Sequence, residues 1–327
     1  MQKRIEWIDI SKGISIILVV LGHLGFSNIP YVGEWLSSFR MPFFFFVSGI
    51  VFSIRYDFKT FIKKRSRTLI MPYFYFSFIV GTCLYFSDVL SLQRIKHILL
   101  NGWGGIALWF IPVLFFTQLV WFLIRKNAKA KTCFWIIIFL AILGSISSLY
   151  IGSSPYNFLL IFTSVFYFGM GSLMKCFLTA LYEQVASQKL FLYMIIFFLL
   201  SLGYMFNWGK TIAYASNQLG YGLPSIVSGL GGSLFICTFV NIIRRIVKVS
   251  SQFRCILLFA GKNSYIILVF HQLFLIYCSL YIRPVFSNYL IYKSIEAILV
   301  TCSCYLSIMM INRYMPWMIG RTSSQNI

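Results

Sequence analysis

Acidic residues are the scarcest chemistry in this chain: seven Asp and Glu stand against 28 Lys and Arg in 327 residues. Charged side chains make up 11% of it, where a soluble domain carries roughly 25%. That shortage excludes an ordinary water-exposed globular fold. It also leaves a carboxylate proton relay few members, which counts against a proton-coupled transporter. There are three histidines and no CxxC pair among eight cysteines, so neither a structural zinc site nor any other metal centre is expected. The cysteines lie mostly inside apolar runs and read as small packing residues. No serine nucleophile elbow, Gly-rich phosphate loop or carboxylate pair appears. No internal repeat of useful strength is present, which disfavours inverted-repeat transporters. No polar stretch is long enough to form an attached soluble domain, so residues 1–327 are expected to form one integral-membrane domain.

What the chain has instead is apolar surface. It is 59% hydrophobic and 19% aromatic, with a mean hydropathy of +0.83. Ten segments approach the roughly 20 apolar residues that cross a bilayer: 10–27, 40–56, 68–87, 106–124, 132–151, 157–175, 190–207, 222–243, 255–280 and 288–311. The second is short. The excess of 21 positive charges would point to nucleic acid in a soluble protein. Here 22 of the 28 basic residues fall in alternate connecting segments or at the adjoining ends of the apolar runs, and six fall likewise on the other side. That alternation is a positive-inside pattern with both termini cytoplasmic, and no nucleic-acid partner is expected. The fold class is therefore all-α, a polytopic protein of the cell membrane in contact with its lipids. Lys3 and Arg4 ahead of an apolar run resemble a signal peptide, but Glu6 and Asp9 interrupt it and no cleavage site ends it, so the run reads as a retained first helix.

Ionisable residues inside a membrane are costly and mark function more often than packing. In DISKGISIILVVLGH, residues 9–23, Lys12 and His23 are eleven residues apart. On a helix that is three turns plus roughly 20°, so they share a face about 16 Å apart along the axis. They can line one tunnel, with a cation at the cytoplasmic mouth and an imidazole deeper in. Lys12 also fits a snorkelling anchor, and His23 an interfacial histidine bonded to a carbonyl. Asp9 fits the N-cap of this helix. The second segment opens on FRMPFFFFVSG. Its Phe run reads as lipid-facing and packing surface, Ser48-Gly49 as a point of close helix approach that also offers a hydroxyl and exposed backbone near the first helix, and Arg40 as a headgroup anchor or a contact for an anionic acceptor. Lys63, Lys64, Arg65 and Arg67 follow within five residues; they suit anionic lipid or the phosphates of a cytosolic donor. Trp109 fits an aromatic belt or a site wall. His271 lies in the ninth segment, nine residues after Lys262, and repeats the theme of a polar start and an internal histidine. His97 sits in a polar loop and is expected to be solvated.

Five of these stretches, IDISKGISIILVVLGH, SFRMPFFFFVSGIVF, KKRSRTLIMPY, LWFIPVLF and GKNSYIILVFHQLF, occur in an order that resembles the integral-membrane acyltransferases of the acyltransferase-3 type, especially the branch grouped with fucose O-acetylases. The resemblance implies transfer of an acyl group, commonly acetyl, from cytosolic acyl-CoA to a carbohydrate, often across the membrane. It implies roles for Lys12 and His23 at the family's basic-x10-His positions, for Lys64 and Arg67 at its basic-x-x-Arg positions, for Ser48-Gly49 at its SG pair and for His271 at a late-helix histidine. Arg40 stands where this branch often carries histidine.

The expected chemistry is that of an O-acyltransferase, with acetyl-CoA or another acyl-CoA as donor and a surface polysaccharide or lipid-linked glycan as acceptor. Lys12, Lys64 and Arg67 hold the donor's phosphates. His23 acts as general base or takes the acyl group itself, and Asp9, Arg40, Ser48, Trp109 and His271 line the site. Two rival readings are a polysaccharide or lipid exporter and an assembly subunit of a surface-polymer machine. Both account for the helices, but neither accounts for the motif order.

Overall fold

A computed structural model describes residues 6–103, 106–207, 212–246 and 251–321. Lys3, Arg4, Lys210 and Lys248, which enter the charge count, lie outside these. Of the described residues 85% are helical, and the strands among them are the two-residue pair Ile212–Ala213 (β1) and Gln218–Leu219 (β2), paired antiparallel. Helix is what an apolar environment demands, because it satisfies every backbone amide within one segment. The helices are α1 (Glu6–His23), α2 (Val32–Ile50), α3 (Phe58–Arg65), α4 (Met71–Phe86), α5 (Leu92–Asn101), α6 (Phe110–Asn127), α7 (Ala130–Tyr150), α8 (Leu160–Gln184), α9 (Ser187–Ser201), α10 (Leu223–Ile246), α11 (Ser251–Lys262), α12 (Ser264–Tyr277) and α13 (Tyr289–Tyr314).

Eight of these stretches are long and apolar enough to cross a membrane, against ten expected. The first two expected segments are helical but more polar. α1 holds Glu6, Asp9 and Lys12, and α2 holds Glu34 and Arg40. The expected continuous segment 255–280 is broken at Asn263, between α11 and α12. Its side chain bonds back to the Phe259 carbonyl (2.9 Å), the local competition for backbone that makes asparagine a helix terminator. The loop expected around His97 is instead the amphipathic helix α5, on which His97 is exposed.

The chain divides into two compact units, residues 1–54 with 116–264, and residues 55–115 with 265–327. In the first unit the core joins Trp7, Ile8 and Ile10 of α1 to Phe39, Phe43, Phe46 and Ile50 of α2, Leu178 and Tyr182 of α8, and Cys237 and Val240 of α10. Lipid offers no hydrophobic drive between helices, so their association rests on close packing. Two crossings are closed by glycine. Gly49 of α2 lies against the Phe168 carbonyl of α8, and Gly171 of α8 lies against the Phe46 carbonyl of α2. Gly13 of α1 and Gly261 of α11 lie likewise against the carbonyls of Leu257 and Asp9. In each pair a Cβ would overlap backbone. Gly49 thus serves the close approach expected of it, but α8 covers its backbone, which is not open. The Phe43–Phe46 run is buried throughout; it is core rather than lipid-facing, because its helix is enclosed by α8, α10 and α1.

Pro42 lies inside α2. It has no N–H, so the carbonyl four residues back, on Ser38, loses its helical partner. The Tyr214 hydroxyl, reached through the β1–β2 turn, donates to that carbonyl (3.2 Å) and sits 3.2 Å from the Tyr167 hydroxyl. Burial pushes the Tyr214 phenol up, so it remains a donor. The second unit is held by edge contacts of Phe76 with Phe270 (5.6 Å between rings), by Tyr277 donating to the Cys83 carbonyl (3.0 Å) and by Trp103 donating to Ser77 (2.9 Å).

Tyr214→Phe keeps the ring and leaves the Ser38 carbonyl buried without a donor, a loss of about 1–3 kcal/mol. The variant is expected to unfold earlier than the wild type in a detergent melt. Equal midpoints would contradict this role.

Candidate functional site

α1 is unbroken from Glu6 to His23, so Lys12 and His23 do share one helix. Lys12 is half-buried, and the positions between them on that stripe, Ile16 and Val19, are buried. Glu6 pairs with Arg254 of α11, and the helix already runs at Glu6. Asp9 is therefore not the N-cap expected of it. It lies in the first turn, buried, where its charge favours the helix N-terminus.

His23 ends α1, and its side chain is exposed rather than sunk in the bundle. The chain then turns: the Leu24 amide bonds to the Val20 carbonyl (2.9 Å), Gly25 adopts φ 117°, and Phe26–Asn28 form one short turn. α2 begins at Val32, eight residues before Arg40, so Arg40 stands mid-helix and not at a helix start. From there its guanidinium lies on Gly22, the residue before His23, where Nη1 occupies the space a Cβ would take. Arg40 also donates to the Ser27 hydroxyl (3.0 Å). Ser48 is half-buried on the same helix.

The second unit carries the other expected residues. Asp57 caps α3 by accepting from the Thr60 amide (3.1 Å), and hydrogen bonding from the Thr60 side chain, then from its amide, holds the carboxyl below the ordinary range. Lys64 is exposed and sits 3.5 Å from the centre of the Tyr56 ring. A hydrogen bond from Lys64 and its charge hold the Tyr56 phenol below its ordinary value. Arg67 is exposed within a π-turn, Ser66–Ile70, that joins α3 to α4, an irregularity frequent at functional sites. The Gly320 turn near the chain's end packs on the Arg67 carbonyl.

Trp109 is buried, so it is not belt surface. It closes a short turn, Ala107–Trp109, at the start of α6. The Ala107 amide donates to the side chain of Gln272, the residue after His271. His271 is fully buried, and its Nδ1 lies 2.8 Å from the Ile267 carbonyl. A carbonyl can only accept, so Nδ1 is the donor in this contact. Lys12, His23, Arg40, Asp9 and Ser48 thus belong to the first unit, and Lys64, Arg67, Trp109 and His271 to the second.

Two functional-looking groups escaped the sequence reading. Gln272 was hidden beside the more conspicuous histidine, although an amide in an apolar run always needs partners. Glu296 is a buried carboxylate on α13 that accepts from Tyr292 and Lys293 (2.6 Å each). Its signal was the i, i+3 spacing to Lys293.

A family model described as an acyltransferase domain matches residues 5–313. No curated protein and no solved structure matches the chain.

Gln272→Leu removes the acceptor of the Ala107 amide. Leaving that buried amide unpaired costs about 1–3 kcal/mol, so hydrogen exchange over 107–109 is expected to quicken about 5- to 150-fold. Unchanged protection would show that the turn is held by other contacts.

Proposed function

The chain belongs to the acyltransferase-3 family, and on that premise we propose that this membrane acyltransferase moves an acetyl group from cytosolic acetyl-CoA to a hydroxyl of a cell-surface carbohydrate or its lipid-linked precursor. The observation that carries the reading is α1: one unbroken helix with a cation and an imidazole on one face, about 16 Å apart. That span suits the long, thin arm of an acyl-CoA. The fucose O-acetylase-like branch, the cell membrane as location and cytoplasmic termini belong to the same proposal.

In this scheme Lys12 meets the donor's phosphates, and Lys64 and Arg67 are further phosphate contacts, each resting on its own position. Arg67 offers the planar fork that matches phosphate oxygens. His23 acts at the thioester. As a base, its ring nitrogen takes the proton of the acceptor hydroxyl while the hydroxyl oxygen attacks the thioester carbonyl. Collapse of the tetrahedral adduct breaks the carbon–sulfur bond, and the departing thiolate takes the proton back. As a nucleophile, the ring nitrogen first attacks the thioester carbonyl and the carbon–sulfur bond breaks to release the thiolate; the hydroxyl oxygen then attacks the acyl carbon, the carbon–nitrogen bond breaks, and the hydroxyl proton passes to the thiolate. An imidazole suits either course, since its proton affinity lies near working pH. Asp9 on α1 and Ser48 on α2 enter as lining residues, and Trp109 and His271 as wall residues, each on its own position.

His23→Ala is expected to abolish O-acetylation of surface glycan at normal expression, while polymer export continues. Retained acetylation would sink the assignment, and lost export with acetylation intact would favour an exporter. Lys12→Ala should raise the KM for acetyl-CoA; an unchanged donor dependence argues against phosphate contact. Radiolabelled acetyl-CoA supplied without acceptor separates the two courses: label trapped on the protein supports the acyl-histidine, and none supports the base.

A further inference from the structure

We propose that Arg40 stabilises the oxyanion of the acyl-transfer step, held in place for that task by Gly22 and Ser27. The inference rests on the reading that transfer occurs at His23.

The guanidinium of Arg40 reaches from the middle of α2 to the last turn of α1 and lies against Gly22, one residue from His23. Gly22 is buried, and any side chain there would collide with Nη1. Ser27, in the turn that follows α1, accepts the one hydrogen bond that Arg40 makes among the described residues (3.0 Å). No carboxylate pairs with Arg40 among them. A guanidinium carries five N–H donors in a rigid plane, so most of the fork is left to other partners. A half-buried cation without a counter-charge loses solvation with no ion pair to offset it. A chain with seven carboxylates has few to give. An anion that forms only during the reaction supplies the missing partner.

Either course of transfer generates that anion. When oxygen or nitrogen attacks the thioester carbonyl, the carbon–oxygen double bond becomes a single bond, and the oxygen takes the charge until the carbon–sulfur bond breaks. A fixed donor beside the attacked carbon gains strength as that charge grows, so it accelerates the step without tightening donor binding.

A competing structural role is simpler: a cation next to the C-terminal turn of α1 is favoured by the helix dipole. Lysine would serve that role equally well, and so would a cation displaced slightly from Gly22. The oxyanion role needs the fork and its position.

The test uses the full-length protein in inverted membrane vesicles, with radiolabelled acetyl-CoA as donor and the vesicles' own glycan as acceptor. Arg40→Ala and the bulkier Arg40→Gln are expected to lower kcat by about 100- to 1000-fold, with the KM for acetyl-CoA within about twofold. Arg40→Lys should recover only a part. Gly22→Ala, which displaces the fork, should behave like Arg40→Gln, and Ser27→Ala should fall between them and the wild type. Guanidinium ion at a non-denaturing concentration should restore transfer to Arg40→Ala and not to His23→Ala. Full activity in Arg40→Lys, a rise in KM alone, or no rescue of a well-folded Arg40→Ala would overturn the proposal. If Arg40→Ala does not fold, Arg40→Lys and Gly22→Ala decide. A wild type that transfers no acetyl group sinks the underlying reading; a wild type that transfers, with Arg40→Lys or Gly22→Ala equal to it, sinks the oxyanion role alone.

Discussion

The contact on which the rest of the first unit depends is the meeting of helix backbones without side chains between them. Gly49 and Gly171 bring α2 onto α8, and Gly13 and Gly261 bring α1 onto α11. Dispersion energy between helices falls away over a fraction of an ångström. In a bilayer no hydrophobic force compensates. These two reciprocal crossings therefore fix the axes of α1 and α2. Once fixed, α1 presents Lys12 and His23 along one line, and α2 delivers Arg40 to the turn before His23.

The same scarcity of water governs the polar groups. Proline in α2 removes one amide donor, and a tyrosine from a distant turn replaces it. A buried carboxylate in α13 is met by a phenol and an ammonium on its own helix. Such pairings use the chain's few acids and its tyrosines for structure, which leaves imidazole and guanidinium as the groups for chemistry. An acyl transfer through histidine fits that inventory better than a reaction built on two carboxylates.

Much of the helix pattern was legible from apolar runs and the charges between them, and the eleven-residue spacing in α1 placed Lys12 and His23 on one face. The position of Arg40 was not legible. Hydropathy begins the second segment at Arg40, because Glu34, Ser37 and Ser38 dilute the residues before it, yet the helix starts at Val32. Those polar residues are compatible with a helix whose neighbours supply partners, as Ser228 does for Ser38 (2.7 Å). The Phe run is packing surface as expected but not lipid-facing, for a related reason: composition alone cannot tell a face packed on three helices from one packed on lipid. Asp9 resembles a cap because it stands just before the apolar run, whereas the helix already runs at Glu6, whose ion pair with Arg254 belongs to that earlier turn. The break at Asn263 had a signal in its own residue type, overridden by the apolar residues on either side.

The central claim is that acyl transfer takes place at His23, with the donor lying along α1. The most direct test is a structure of the protein with a thioether analogue of acetyl-CoA, which binds but cannot transfer. The account predicts the analogue's carbonyl within about 4 Å of the His23 ring, near attack distance, and its phosphates beside Lys12. An analogue bound away from α1, or with its carbonyl remote from His23, would contradict it.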